Sequence, residues 1–243
     1  MADHHYDNAW TVRLVREGRL PARYAEVWPS ELDRFAAPCV RPGMAILDVG
    51  PGPNPTIPPG RRPAGTSYVA LDASRGELEA APAGSYDELV VADVTVPQPS
   101  LEKRFDLVVS WQTLEHVNSL ANALDNLRAY LRPSGRMVAV LSGSRSPFAL
   151  ANRTLPHSLT SKAMEKLLDR PPETKFPARY DRCWSSAIGE LLADWSDAQV
   201  RPKYAGAGYL GFSPLLTRIY LRYEDWTVGR PNLATHYVVA AVR

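Results

Sequence analysis

The sequence predicts a doubly wound α/β fold on a mostly parallel sheet, and three observations carry that expectation. Four short apolar runs rich in β-branched residues, centred on Leu47, Val69, Val91 and Val108, are followed by a fifth at Met137–Leu141. Gly, Pro or Asp bounds these runs, the pattern of strands buried on both faces of a parallel sheet. Between the fourth and fifth, Leu120, Leu124, Leu127 and Leu131 recur at helical spacing and share one face. Strand, helix and strand in this order imply a right-handed crossover, with ligands bound beyond the carboxyl ends of the strands.

The elements follow in chain order. Residues 1–40 hold amphipathic patches with Trp10, Leu14, Tyr24, Trp28, Leu32 and Phe35, read as helices packed over the binding site. The first strand, Ala45–Val49, runs into Gly50-Pro51-Gly52; the second is Tyr68–Asp72, the third Val90–Val94 and the fourth Phe105–Trp111. Asn118 or Ser119 caps the helix that follows, and Pro133-Ser134-Gly135 stops it. A long excursion over 143–197 precedes a sixth strand near Ala198–Tyr204. Ser213–Val228 reads as a helix with Leu216, Ile219, Tyr220 and Tyr223 on one side, and His236–Val242 as a last strand. A structural place is expected for His236.

The turn after the first strand narrows the ligand. Gly50 and Gly52 lack a Cβ, so a ligand can lie against bare backbone there. A dinucleotide needs a third glycine and a helix N-terminus facing its pyrophosphate. Here Pro55 occupies that third position, and the segment Pro51–Thr66 carries six prolines. Prolines at this density remove amide donors and block helix beyond its first turn. S-adenosylmethionine has no phosphate and is compatible with such a turn.

The ordered set Asp48-Val49-Gly50-Pro51-Gly52, Tyr68–Ser74 with Asp72 at its strand end, Val90–Val94, Phe105–Trp111, Leu114-Glu115-His116-Val117 and Leu131–Arg136 resembles the class I S-adenosylmethionine-dependent methyltransferases, in their type 11 branch. The likeness covers about residues 40–142. It implies a Rossmann-like seven-stranded sheet whose antiparallel last strand lies beside the sixth, and S-adenosylmethionine as cofactor. At the matching positions it implies cofactor contacts from Asp48, Gly50, Pro51, Gly52, Asp72, Ala73, Asp93, Val94, Ser110 and Trp111. Asp72 would accept both ribose hydroxyls, Asp93 the adenine amino group beside the Val94 amide, and Asp48 would act near the methionine ammonium. A strand-end cap or turn is the alternative use of each Asp.

The proline-rich loop departs from the family pattern, in which a full helix follows the first glycine turn. The expectation here is a first crossover helix missing or reduced to a turn. The loop would fold over the methionine moiety, with Asn54 and Thr56 as polar contacts; mere cover for the sheet edge is the alternative.

His116, just past the fourth strand, is the candidate general base for a hydroxyl or amine acceptor, with a helix-entry structural role as its alternative. Ubiquinone-type relatives place a Glu-x-x-Glu-His cluster here to hold a divalent cation. Gln112-Thr113-Leu114-Glu115-His116 has an amide in place of the first carboxylate, so no metal is expected. Aromatics in Tyr180-Asp181-Arg182-Cys183-Trp184 and, among glycines, in Tyr204–Phe212 suggest a lid for a small or lipid-like substrate, against the plainer reading of core and turn.

Composition agrees. The 243 residues are 45% hydrophobic and 22% charged with net charge +2, ordinary for one soluble domain and without a nucleic-acid footprint. Arg13, Arg16, Arg19 and Arg23 are interrupted by Glu17 and Glu26 and read as a solvated face. Cys39 and Cys183 have no metal-type spacing and are expected as reduced thiols in a cytoplasmic protein. No apolar run reaches the roughly 18 residues of a membrane span, and Met1-Ala2-Asp3-His4-His5 is not a signal peptide. The expected organisation is one domain, with a helical cover (1–40), a cofactor core (41–142), substrate lid helices and the sixth strand (143–235), and the last strand (236–243). The expected function is methyl transfer to an oxygen or nitrogen of a small metabolite. RNA or protein methylation, or cofactor binding without turnover, are the alternatives.

Overall fold

The computed structural model describes residues 9–25, 32, 34–154, 178–210 and 213–243. Seven strands form one sheet in the order β3-β2-β1-β4-β5-β7-β6. They are β1 (Ala45–Val49), β2 (Ser67–Asp72), β3 (Glu88–Val91), β4 (Phe105–Trp111), β5 (Leu131–Ser142), β6 (Ser196–Lys203) and β7 (His236–Val242). The first five pair in parallel, while β7 runs antiparallel between β5 and β6. The doubly wound sheet with its antiparallel last strand is therefore as expected.

Alternation along β1 sends Leu47 and Val49 to one face and Ile46 and Asp48 to the other. Leu47 and Val49 join a core with Val69, Val108 and Met137, covered by Leu120, Leu124 and Leu127 of the helix Leu120–Tyr130 and by Ile188 and Leu192. Ile46, Tyr68, Leu107, Val109 and Val138 form a second core, covered by Leu32, Phe35, Ala36, Cys39 and Val40 of the N-terminal segment and by Ile57 and Tyr86. The described helices are α1 (Ala9–Arg16), α2 (Arg75–Glu79), α3 (Leu120–Tyr130), α4 (Pro147–Thr154), α5 (Ser185–Leu191) and α6 (Pro214–Thr227).

Several expectations shift in detail. Ser119, not Asn118, caps α3 through its hydroxyl, which accepts from the Asn122 amide. The helix ends at Tyr130, and Leu131 already pairs with Phe105, because Pro133 pushes the chain before it toward extended backbone. The third strand is Glu88–Val91 rather than Val90–Val94. It is a sheet edge, so Leu89 and Val91 stay exposed instead of buried on both faces.

On α6 the buried side is Tyr220, Glu224 and Thr227, whereas Leu216 and Ile219 are exposed. Asp181 and Arg182 separate: Asp181 accepts from the Leu120 amide at the start of α3, and Arg182 pairs with Glu190. The basic stretch is solvated through the Arg13–Glu17 and Arg19–Glu17 pairs, but Arg23 reaches Asp225 and the buried Glu224. Trp28, Gly211 and Phe212, with the side chains of Trp10 and Tyr209, lie outside what is described. Cys39 and Cys183 are both free thiols, and no described helix is long and apolar enough to cross a membrane.

Glu224 ties the appended parts together. Its carboxylate accepts from the Tyr24 hydroxyl and, at 2.5 Å, from the Gly206 amide, while the Tyr24 oxygen accepts from the Ala207 amide. Desolvation and the adjacent carboxylate push the Tyr24 phenol far above its ordinary range, so it stays a donor.

Candidate active site

The carboxyl ends of β1, β2 and β4 meet at the glycine turn. Gly50 adopts φ +66°, and a Cβ there would stand 2.1 Å from Cγ2 of Thr113. Thr113 in turn donates its hydroxyl to the Gly50 carbonyl at 3.0 Å, so the turns after β1 and β4 are locked together. Two residues on, the Gly52 amide donates to Oδ2 of Asp72 at 3.1 Å, and the Ser74 amide donates to Oδ1 at 2.9 Å. Each oxygen of this half-buried carboxylate keeps lone-pair capacity for a further donor. Ala73 follows directly, and the Tyr86 hydroxyl donates to the Gly52 carbonyl at 3.0 Å.

The expected loss of the first crossover helix holds: between β1 and β2 there is only a 3-10 turn, Pro59–Arg61. Asp48 holds this loop in place. Its fully buried carboxylate accepts from the amide and hydroxyl of Thr56, both at 2.7 Å, and from the Tyr68 hydroxyl at 2.6 Å. Thr56 thus spends both donors on Asp48 rather than facing the site, and Asn54 is exposed in a turn closed by its amide on the Pro51 carbonyl. Arg62 lies 3.5 Å from the Tyr68 ring centroid and donates to the carbonyls of Ile57 and Ser85. Tyr86 stacks on Tyr68 from the same network. Pro51 is half-buried between the two glycines.

Burial raises the Asp48 carboxyl to about 6, against the lowering pull of its Tyr68 and Thr56 hydrogen bonds and of Arg62. Burial also raises the Tyr68 phenol, with the Asp48 charge adding to it, and lowers the Arg62 guanidinium. The Asp48 carboxyl is thus raised above its unfolded value of about 3.9, so the folded state binds the extra proton between roughly pH 4 and 6. The Asp48 contribution to stability is fully present below that window and is lost as pH rises through it. Two units correspond to about 3 kcal/mol. Comparing urea unfolding of wild type and Asp48→Asn should show the difference falling by about 2–3 kcal/mol between pH 4 and 7. His236, lowered to about 3 by burial, has the opposite slope but is common to both proteins. A pH-independent difference would contradict this role for Asp48.

The remaining residues lie nearby in the chain. Ser110 is buried and donates to the Val49 carbonyl at 3.0 Å, stitching β4 to β1, and Trp111 is half-buried against the second core. Gln112 takes φ +54°, and its amide oxygen accepts from the Ser142 hydroxyl. Glu115 is buried; Oε1 accepts from the Ser142 amide, and its carbonyl receives the amides of Arg179 and Tyr180. His116 is half-buried, and its Nδ1 is buried without a hydrogen-bond partner among the described residues.

Asp93 does not end β3 but sits two residues beyond it, exposed, with Oδ1 accepting from the amide and hydroxyl of Thr95. That is the turn-capping use of Asp, and it leaves Oδ2 without a hydrogen bond among the described residues. Val94 is buried behind it. Sequence reasoning missed Tyr86, Arg62 and Thr113. Thr113 stood inside the Gln112–His116 motif, whereas Arg62 and Tyr86 reach the site only through the tertiary fold.

A protein-family profile described as a methyltransferase domain matches residues 20–181. A ubiquinone biosynthesis O-methyltransferase of Rhodopseudomonas palustris (strain BisB5) is 31% identical over 113 residues, 45% of this chain and 44% of that protein. The chain spans about half the length of the curated relatives it matches. Among solved structures, geranyl diphosphate C-methyltransferase from Streptomyces coelicolor A3(2) superposes with a TM-score of 0.57 at 12% identity, covering 91% of this chain and 78% of that one. Phosphoethanolamine N-methyltransferase 2 of Haemonchus contortus does so with a TM-score of 0.52 at 14% identity, covering 88% and 51%. Sheet order, the glycine turn and the family match agree, and the chain belongs to the class I S-adenosylmethionine-dependent methyltransferase family.

Proposed function

We propose that this protein transfers a methyl group from S-adenosylmethionine to an oxygen or nitrogen of a small, lipid-like organic molecule in the cytoplasm. One observation carries the cofactor half: the Asp72 carboxylate, tied to the Gly52 amide, faces a turn of bare glycine backbone at the strand ends. Asp72 would accept the ribose hydroxyls on its remaining lone pairs, with Ala73 alongside. Gly50, Pro51 and Gly52 would line the methionine side, with Asn54 at its outer edge. Oδ2 of Asp93 and the Val94 amide would take the adenine, and Ser110 and Trp111 would floor the site. Asp48 acts here as a positioning residue, because its oxygens already serve Thr56 and Tyr68.

When bound, the cofactor supplies a methyl carbon activated by sulfonium. The chain's own residues must align the acceptor, exclude water and take its proton. His116 is the group that would take it, since its half-buried imidazole follows the end of β4, where the acceptor must approach the methyl. The residue 41–142 core would hold the cofactor, and 1–40 with 143–235 the acceptor side. Tyr24, Tyr220, Phe148 and Leu210 already form an apolar cluster in those appended parts. The ubiquinone O-methyltransferases among its relatives make a hydroxylated lipid-like acceptor the first class to try.

The test is formation of S-adenosylhomocysteine from S-adenosylmethionine with panels of phenols, aliphatic amines, bulk RNA and protein. Turnover confined to the small molecules is expected. Turnover on RNA or protein alone, or none with any panel, would defeat the reading.

A further inference from the structure

Five of the nine exposed large hydrophobic side chains among the described residues crowd into one stretch: Leu215, Leu216, Ile219, Trp226 and Val228. Four belong to α6 and Val228 caps it. At about 100° per residue, Leu215, Ile219, Arg222 and Trp226 fall within a roughly 60° arc, with Arg218 along one border. Leu215, Ile219 and Trp226 are 67%, 57% and 55% exposed, too open for core residues. The opposite side of α6 is already used, with Tyr220 in an apolar cluster and Glu224 bonded to Tyr24 and Gly206. The outward stripe therefore contributes nothing to the described interior.

Its charge selects an occupant. Arg218 and Arg222 are exposed and in no ion pair among the described residues, and the Arg230 guanidinium lies 4.5 Å from the Trp226 ring centroid. The acidic neighbour, Asp225, is taken by Arg23 at 2.9 Å. An apolar stripe with a tryptophan and flanking arginines matches the boundary between headgroups and acyl chains of an anionic bilayer. A second copy on the same face would set like charges opposite each other across a two-fold axis, and a nucleic acid would leave the leucine, isoleucine and tryptophan without a partner.

The position of α6 adds to this. It connects the end of β6 to the start of β7, and there Lys203, His236 and Ser142 lie side by side at the carboxyl end of the sheet, as do Gly50 and Asp72. We infer that the outer face of α6 is a docking surface for an anionic membrane, lying on the bilayer and presenting the carboxyl end of the sheet toward it. The inference holds whatever the acceptor is.

The full chain should sediment with vesicles of phosphatidylglycerol and phosphatidylcholine, weakly with phosphatidylcholine alone, and less as salt rises. Arg218→Glu with Arg222→Glu should bind anionic vesicles roughly 30-fold more weakly, or worse, with an unchanged melting temperature. Ile219→Asp should also weaken binding. Tryptophan emission should shift to the blue on binding, and Trp226→Phe should remove that shift. Failure to bind anionic vesicles overturns the inference, as does binding indifferent to these substitutions. Concentration-dependent dimerisation through this face, without vesicle binding, overturns it in favour of a second copy.

Discussion

Replacing His116 with alanine is expected to lower kcat by a factor of roughly 10²–10⁴ while leaving KM for S-adenosylmethionine within about twofold. The imidazole lies just past β4, and its Nδ1 is buried without a described partner, an unusual state for a polar atom in a native fold. An acceptor hydroxyl or ammonium reaching the open side of this half-buried imidazole would give up its proton to it. Because the His116 amide bonds the Thr113 carbonyl through the backbone, truncating the side chain leaves the turn intact. Unfolding stability should therefore change by less than about 1 kcal/mol, and added imidazole should restore part of the rate. An unchanged kcat would remove His116 from the chemistry. A large fall in stability with a raised KM would return it to the helix-entry role.

Gly50→Ala carries the largest expected effect on the fold. An alanine at φ +66° is strained, and its Cβ would sit 2.1 Å from Cγ2 and 2.3 Å from Oγ1 of Thr113, a side chain held by its own bond to the Gly50 carbonyl. Left-handed strain and overpacking together should cost roughly 3–5 kcal/mol, read as the urea midpoint at constant slope. In a Thr113→Gly background, where the clash is absent and the lost hydroxyl bond is common to both proteins, Gly50→Ala should cost about half as much. A single substitution tolerated within about 1 kcal/mol would mean that the turn is not built as described.

These two positions were legible to different degrees in the sequence. Gly50 stood out because an apolar strand ending in Gly-Pro-Gly has few structural uses. The prolines after it foretold the missing crossover helix, since proline acts through local backbone chemistry that needs no tertiary context. The role of Asp48 was hidden, because its partners Thr56 and Tyr68 are brought to it by the loop and the neighbouring strand rather than by any period. The third strand was read past its end, to Val94, because it is an edge strand that stops at Val91 and leaves Asp93 in the following turn.

On α6 apolar residues surround the helix. Periodicity alone could not say whether Leu216 and Ile219 or Tyr220 and Thr227 face inward, and a buried acid such as Glu224 has the same sequence signature as a solvated one. Its burial follows only from the hydroxyl and amide that converge on it.

Asp72 and the glycine turn would hold S-adenosylmethionine between them. Calorimetric titration of wild type and Asp72→Ala with S-adenosylmethionine, and of wild type with NAD, tests it most directly. Two charge-assisted ribose hydrogen bonds at about 1.5 kcal/mol each predict an affinity roughly 10²-fold lower in the variant, with no saturable heat from NAD. Equal affinity in both proteins, or saturable binding of NAD in place of S-adenosylmethionine, would contradict it.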